Sequence, residues 1–344
     1  MNKKTAGEIK MKKYVQMMLV FVLCLAALPL AVPFMLEAAD RLPTSSDMQE
    51  SNNNYSNSGG MQEQLDPSEV TNITIYDVKT GKYVDLETEV YVTGALYSAM
   101  PASFGTEALK AQATVIRSLV YYRTATGTHC PLHGDALFCT DPGCCLGYTD
   151  YDNAASDVSQ DVADFTYAEV KTAVEMTKGV YIAYGSMPAM ALFHASSCGR
   201  TESMEAVTGE VIPYLISVDT PDESSLPGFE TTLTLSPSEL LERLGIPQGT
   251  EEINVQVIAN ESGRASGVSI AGTLISGRDF AESLSLPSTN VTIIPAGEKY
   301  AITSRGIGSG LGMSQYGASV LSSEGYTYYE ILSHYYPGTV FKNA

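Results

Sequence analysis

The chain reads as an α+β protein, a single mixed helix/sheet body behind an N-terminal apolar segment. Period-2 and helical hydrophobic patterns follow one another without regular βαβ alternation, which disfavours a doubly wound sheet. Short strand-like runs are separated by turn formers such as Lys79-Thr80-Gly81. At 44% hydrophobic residues over 344 positions, the composition is that of a globular protein able to bury a core.

The elements follow in order. Residues 1–13 form a basic tail carrying Lys3, Lys4, Lys10, Lys12 and Lys13 against the single acid Glu8. Residues 14–36 are uncharged and mostly apolar, and about 20 helical residues cross a bilayer core of about 30 Å. The lysines place the tail in the cytoplasm and the bulk of the chain outside, as a single-pass cell-membrane protein. A cleaved signal is the rival reading, since Pro29 and Pro33 would kink a spanning helix. The exit Leu36-Glu37-Ala38-Ala39-Asp40 nevertheless lacks a clean small-x-small cleavage site. Residues 37–68 have little to bury and read as a disordered linker. Residues 69–344 then form the folded body, without internal repeats.

Within that body, residues 73–77 and 83–86 predict a hairpin. Residues 87–100 predict a helix ended by Pro101, and residues 106–123 an amphipathic helix with Leu109, Ala113, Ile116 and Val120 on one face. A short helix is expected at 168–177, with strands at 180–184 and 190–194. Strands at 231–235 and 253–259 flank a helix near 237–244. Further strands are expected at 268–274 and 291–294, and a final helix at 328–335.

The net charge is −19; without residues 1–36 the remainder holds 15 basic and 38 acidic residues, or −23. That excludes a nucleic-acid binder, which needs a cationic face to displace counterions. It suits a soluble body outside the cell.

The segment from His129 to Cys145 concentrates chemistry. His129, Cys130, His133, Cys139, Cys144 and Cys145 are six potential metal ligands, with turns at Gly134 and Pro142-Gly143. Tetrahedral zinc takes four Cys or His ligands on such loops, and a closed set implies a structural role. Disulfides are the alternative outside the membrane: Cys139 with Cys144 or Cys145, or Cys130 with Cys198.

Six blocks in order carry a resemblance. They are Leu86-Glu87-Thr88-Glu89-Val90-Tyr91-Val92-Thr93-Gly94 leading into Ala99-Met100-Pro101-Ala102-Ser103-Phe104; Phe193-His194-Ala195-Ser196-Ser197-Cys198-Gly199-Arg200-Thr201-Glu202; and Ile212-Pro213-Tyr214-Leu215 with Ser217-Val218-Asp219. Then come Ser276-Gly277-Arg278-Asp279-Phe280, Gly312-Met313-Ser314-Gln315-Tyr316-Gly317-Ala318, and Glu330-Ile331-Leu332-Ser333-His334-Tyr335-Tyr336-Pro337-Gly338. Together they cover most of residues 70–340, and the chain resembles the SpoIID/LytB family.

The resemblance implies a peptidoglycan lytic transglycosylase of the sporulating cell wall, anchored in the membrane. Such an enzyme acts on peptide-stripped glycan strands during engulfment, beside a cell-wall amidase. A carboxylic acid protonates the glycosidic oxygen and the sugar's 6-hydroxyl closes an anhydro ring, so no second carboxylate is needed to activate water. The resemblance places that acid just before Met-Pro, where this chain has Ala99. It also places Gly-His-Gly at Gly308-Ser309-Gly310 and a Trp near Gly209, where this chain has Thr208. Loss of a general acid costs roughly 10²–10⁴-fold in rate. Two functions therefore stand: a transglycosylase served by another acid, with Glu107 and Glu205 nearby, or a pseudoenzyme that binds glycan or enhances an amidase. The resemblance further implies substrate contacts from Lys110, Arg117, His194, Ser196, Ser197, Ser314, Gln315 and Tyr316. Lys110 and Arg117 share a helix face, and the Ser314–Tyr316 stretch is expected in a glycine-rich turn. Some members bind zinc through two histidines and two cysteines; matching the segments puts His133, Cys139, Cys144 and Cys145 at those positions, with Cys144 replacing a histidine and with His129 and Cys130 spare, either able to substitute.

Overall fold

The structure is a computed structural model that describes residues 66–247 and 253–344. The basic tail, the 14–36 anchor or signal and nearly all of the linker lie outside the described residues. Among the described residues no helix is long and apolar enough to cross a membrane. The linker reading ends slightly late, because Asp66 already caps a 3₁₀ turn at Pro67–Glu69.

β1 (Asn72–Asp77) and β2 (Lys82–Glu87) form the expected hairpin, in register from Asn72↔Glu87 to Asp77↔Lys82. Asp77 closes its turn: its carbonyl accepts from the Gly81 N–H at 2.8 Å and its carboxylate from the Lys79 N–H at 3.0 Å. α1 (Thr88–Ala99) stops where Met100 turns extended ahead of Pro101. α2 (Thr106–Thr126) runs almost to Gly127, whose left-handed conformation caps it. β3 (Phe138–Cys139) adds to β1 in parallel. α3 (Tyr151–Asp157) and α4 (Gln160–Met176) follow. α4 starts two turns before the expected 168 because those turns are largely exposed and carry little apolar signal.

β4 (Val180–Tyr184) pairs with β5 (Met187–Pro188) and with β14 (Val340–Asn343). The strand expected at 190–194 shrinks to β6 (Phe193–His194), which pairs in parallel with β13 (Met313–Ser314). After α5 (Met204–Thr208), β7 (Glu230–Leu235) leads into α6 (Pro237–Arg243), started by a Ser236/Glu239 capping box. β8 (Val255–Ala259), β9 (Ala265–Ile270) and β10 (Thr273–Ser276) form one antiparallel sheet. The expected strand 268–274 is thus two strands. Ala271 and Gly272 both take positive φ, 49° and 79°, and reverse the chain between Ile270 and Thr273. α7 (Gly277–Ser283) precedes β11 (Val291–Ala296) and β12 (Lys299–Arg305), which complete a sheet with β7. α8 (Gln315–Ser323) and α9 (Tyr328–Tyr335) close the fold.

The body holds two main apolar clusters. One is built within residues 235–302 from groups such as Leu240, Val268, Phe280 and Ile302. The larger surrounds α2. α2 is packed by α1, α4, α8, α9 and β4, so the one-sided amphipathic helix expected from sequence is buried nearly all round. Ala108, Ala111 and Ala113 let neighbours approach, and the buried Thr114 and Ser118 hydroxyls return to backbone carbonyls one turn back.

Arg117 is fully buried in this helix. Its Nε and Nη2 fork onto the Glu89 carboxylate of α1, each at 2.7 Å, and Nη1 donates to the Val180 carbonyl of β4 at 2.9 Å. Its guanidinium is committed to joining three elements, and its full burial places it away from the substrate contact expected of it. Removing the anion strands a buried cation, whereas removing the cation leaves a carboxylate that is 27% exposed. Glu89→Ala is therefore expected to cost about 3–5 kcal/mol and Arg117→Met distinctly less, measured by urea unfolding of the folded body. Equal losses would refute the burial argument.

Candidate functional site

Position 99 is the C-terminal residue of α1, half-buried and carrying only a methyl group. Its backbone is held from across the fold: Gln315 Nε2 donates to the Ala99 carbonyl at 3.0 Å and approaches Gln112 Oε1 of α2 at 3.4 Å. Tyr316 packs edge-on against Phe104 at 5.6 Å between ring centroids, and its hydroxyl pairs with Ser225 at 2.9 Å. Gln315, Tyr316, Ala99 and Phe104 thus meet in one place.

The expected turn around Ser314 is instead the start of α8. Ser314 is its cap, accepting from the Gly317 N–H at 3.1 Å, and is fully buried; Gln315 is nearly so. The polar groups behind it converge on a residue the sequence reading did not single out, Glu223. Its Oε2 accepts from Ser196 Oγ at 2.7 Å, Ser314 Oγ at 2.8 Å and the Ser197 N–H at 2.9 Å. Its Oε1 has no hydrogen-bond partner, nor has the nearby buried Tyr335 hydroxyl. The two crowd Gly317 so closely that a Cβ there would sit 2.8 Å from Glu223 Oε1 and 2.2 Å from Tyr335 Oη. Burial pushes the Glu223 carboxyl up to about 7, against the opposing pull of the Ser196 and Ser314 hydrogen bonds.

His194 lies in the same buried layer, with Nδ1 3.0 Å from the Leu311 carbonyl and Nε2 2.5 Å from Ser197 Oγ. Burial, then the Arg264 charge, drives it down to about 3, so the ring is neutral. A carbonyl can only accept, so Nδ1 carries the proton and Nε2 accepts from the Ser197 hydroxyl. Arg264 is buried beneath the Gly308-Ser309-Gly310 loop and donates to the Gly308 carbonyl at 3.2 Å. Gly310, at φ +84°, has the guanidinium only 2.6 Å from where a Cβ would stand.

The predicted contacts therefore divide. Gln315 and Tyr316 lie beside Ala99, while His194, Ser196, Ser197 and Ser314 form the buried layer behind them. Lys110 pairs with Glu107 at 2.7 Å and covers the Tyr328 ring at 4.7 Å. Both Glu107 oxygens are engaged, one by Lys110 and the other by the Tyr328 N–H at 2.8 Å. Glu205 is exposed on α5.

The cysteine segment closes into a knot. The sulfurs of Cys130, Cys139, Cys144 and Cys145 all lie within 4.8 Å of one another, with Cys130–Cys144 at 3.6 Å and Cys144–Cys145 at 3.9 Å. An ion about 2.3 Å from each of four tetrahedral sulfurs spaces them roughly 3.8 Å apart, so the thiols fit a metal ion. The group of four sulfurs takes in Cys130, one of the two spare residues of the expected set, and leaves out His133. The His133 ring stacks on Tyr76 at 3.7 Å, while the Cys130 N–H is anchored to the Ala136 carbonyl at 2.8 Å with its sulfur inside. Cys130, Cys139, Cys144, Cys145 and Cys198 are all free thiols, so none of the alternative disulfides forms. The Cys139 hydrogen bond, and then the Arg123 guanidinium, draw the Cys145 thiol down to about 5, while Cys139 is pushed up. Beyond the knot, Tyr148 packs on Gly94 and the Thr149 N–H donates to the Gly94 carbonyl at 3.2 Å, so the knot braces the helix that ends at Ala99.

The sequence of this α+β body is similar to known proteins. The family profile described as SpoIID, stage II sporulation protein, covers residues 76–184. The chain is 31% identical over 287 residues to stage II sporulation protein D of Bacillus amyloliquefaciens, spanning 83% of this chain and 82% of that protein. It is 30% identical over 275 residues to stage II sporulation protein D of Bacillus subtilis, 79% of each. The chain belongs to the SpoIID family. It is also 29% identical over 306 residues to the amidase enhancer of Bacillus subtilis, spanning 72% of this chain and 39% of that protein.

Glu223 makes a pH-dependent contribution to stability. Its folded value lies above the ordinary 4.5, so its favourable contribution is complete below pH 4.5 and is lost as pH rises through about 7. Relative to the wild type, Glu223→Gln is expected to gain roughly 2–4 kcal/mol between pH 4.5 and pH 8, read by denaturant unfolding at both. A difference that does not vary with pH would mean the carboxyl titrates at its ordinary value.

Proposed function

We propose that this chain is a sporulation-linked, peptidoglycan-directed protein of the lytic transglycosylase type that binds peptide-stripped glycan strands and has lost the proton donor for cleavage. The observation that carries this reading is Gln315 gripping the carbonyl of Ala99: the backbone of position 99 is held in place while its side chain has no acid. Transglycosylation needs one acid to protonate the leaving glycosidic oxygen, and a methyl group cannot. Glu107 has both oxygens engaged and Glu205 is exposed on α5, so neither supports a substitute donor.

In this reading the chain acts at the cell wall during engulfment. It is held in the cell membrane by residues 14–36, with the body outside and a cell-wall amidase as partner. The likeness to an amidase enhancer supports the last point and gives the second reading, a catalytically silent partner that promotes an amidase. The knot is a structural zinc site held by Cys130, Cys139, Cys144 and Cys145; a closed thiolate set leaves no open position for a reacting water.

The decisive digest incubates residues 40–344 with peptide-free glycan strands, beside the Ala99→Glu variant, and seeks anhydro-muramic ends by mass spectrometry. The expected result is no product from the wild type, binding of strands by both proteins, and product from Ala99→Glu at least 10²-fold above the wild type. Product from the wild type would refute the loss of the donor. Metal analysis of the reduced body should give one zinc per chain, abolished by Cys130→Ser and retained by His133→Ala. The reverse pattern would restore the histidine to the ligand set.

A further inference from the structure

Glu223 has no role in the reading above, yet it is the most connected side chain behind the Ala99 surface. Its three donors come from two separate parts of the chain. Ser196 and Ser197 follow β6, and Ser314 ends β13 and caps α8. Ser197 in turn fixes His194, and α8 begins with the two residues that meet Ala99 and Phe104. The segment carrying Glu223 also grips α8 from outside, through Ser225 and the Tyr316 hydroxyl, and is tied to α9 by the bond from His334 Nε2 to the Asp219 carbonyl at 2.6 Å.

One carboxylate oxygen is thus the shared acceptor for the backbone after β6 and the cap of α8. Hydrogen bonds to an ionised acceptor are about twice as strong as neutral ones. A buried carboxylate without a cation at contact distance is costly to keep, unless the donors it gathers require it. Nothing in the surrounding apolar packing needs a charge at this point. What the charge does is hold three donors on one atom.

The geometry points to Glu223 as the positioning residue of the glycan-binding surface: through Ser196, Ser197 and Ser314 it sets where Gln315 and Tyr316 stand, without touching the ligand. The inference rests on the glycan-binding reading for its ligand and on the hydrogen bonds for its mechanism. It makes recognition sensitive to protonation, because the neutral acid is a weaker acceptor for all three donors. The groups facing Glu223 do not titrate with it. His194 on β6 is neutral down to about pH 3, and Arg264 is a cation. Tyr335 on α9 is pushed well up by burial, and so is the Cys198 thiol, to a lesser degree. Asp222, beside it, is exposed and lowered by the Ser224 backbone N–H, so it stays ionised.

The test uses the soluble body, residues 40–344, in wild-type, Glu223→Gln and Glu223→Ala forms. Retention on peptide-free glycan strands is measured from pH 6 to pH 8, and amide exchange of residues 193–198 and 313–318 is followed without ligand. The wild type is expected to bind 3- to 10-fold more weakly at pH 6 than at pH 8. Glu223→Gln should be flat across that range, near the wild-type value at pH 6, and Glu223→Ala weaker still. The Ser197 and Gly317 amides should exchange at least 10-fold faster in Glu223→Ala. A purely structural role would lower stability but leave Glu223→Gln with the wild-type pH slope, and that outcome overturns the proposal. Unchanged exchange in both variants overturns it as well, whether or not glycan binds. A wild type that binds no glycan at either pH defeats the glycan reading separately, while the exchange still judges the positioning. Should Glu223→Ala not fold, the slope and exchange of Glu223→Gln decide alone.

Discussion

Everything in this fold turns on a charge buried in the central helix. A helix with one apolar stripe needs one neighbour; α2 is contacted on all sides and still carries Arg117. A guanidinium in that position must be neutralised and must have its donors satisfied. Glu89 does the first and the Val180 carbonyl shares in the second, so α1, α2 and β4 are locked in rotation as well as in distance. Ala99 lies ten residues beyond Glu89 on α1, roughly 15 Å along a rigid helix. The ion pair therefore fixes where position 99 can be. The cysteine knot supports the same helix nearer its end, through Tyr148 and Thr149 against Gly94. Position 99 is held from both sides by interactions that do not depend on its own side chain.

A second buried polar layer, around Glu223, serves the opposite wall. Buried polar networks specify one arrangement when fully satisfied and become costly when they are not. This one is satisfied on Oε2 and open on Oε1, beside the Tyr335 hydroxyl. That asymmetry explains how a carboxyl with three hydrogen bonds, each favouring the anion, still titrates near neutrality. Desolvation outweighs the donors, and the unpaired oxygen can take the proton without displacing any of them.

Much of this was legible in the sequence, and what was not has a physical reason. Strands with clean alternation, such as β1 and β2, the short apolar run of β4, and helices bounded by Pro101 and Gly127 lie within a few residues of their expected places. The hairpin at Ala271-Gly272 was missed because an alanine at positive φ gives no turn signal. The resemblance put His133 in the ligand set and left Cys130 spare, because sequence alone treats Cys and His as interchangeable ligands. In the fold β3 pairs with β1, the His133 ring stacks on Tyr76 and the Cys130 sulfur lies with the other three. Glu223 was invisible for a different reason. It sits among Asp219, Asp222 and two prolines, in what reads as an acidic loop, and its partners are 26 to 91 residues away. No local pattern marks an acid as buried.

The positions where the resemblance implies other residues fall on one side of this division. Ala99, Ser309 and Thr208 are all at least partly solvent-accessible, and none supplies a hydrogen bond to the Glu223 layer. His194, Ser196, Ser197 and Ser314 are buried, and each is tied into that layer. An apolar group in place of Glu223 alone would strand the buried Ser196, Ser197 and Ser314 donors, so the carboxylate and its three donors are kept or lost together. In the proposed reading, a surface without its reacting group but with its supporting frame in place suits recognition without turnover. The frame places Gln315 and Tyr316 at the end of α1, and in that reading binding uses this placement although no proton is transferred.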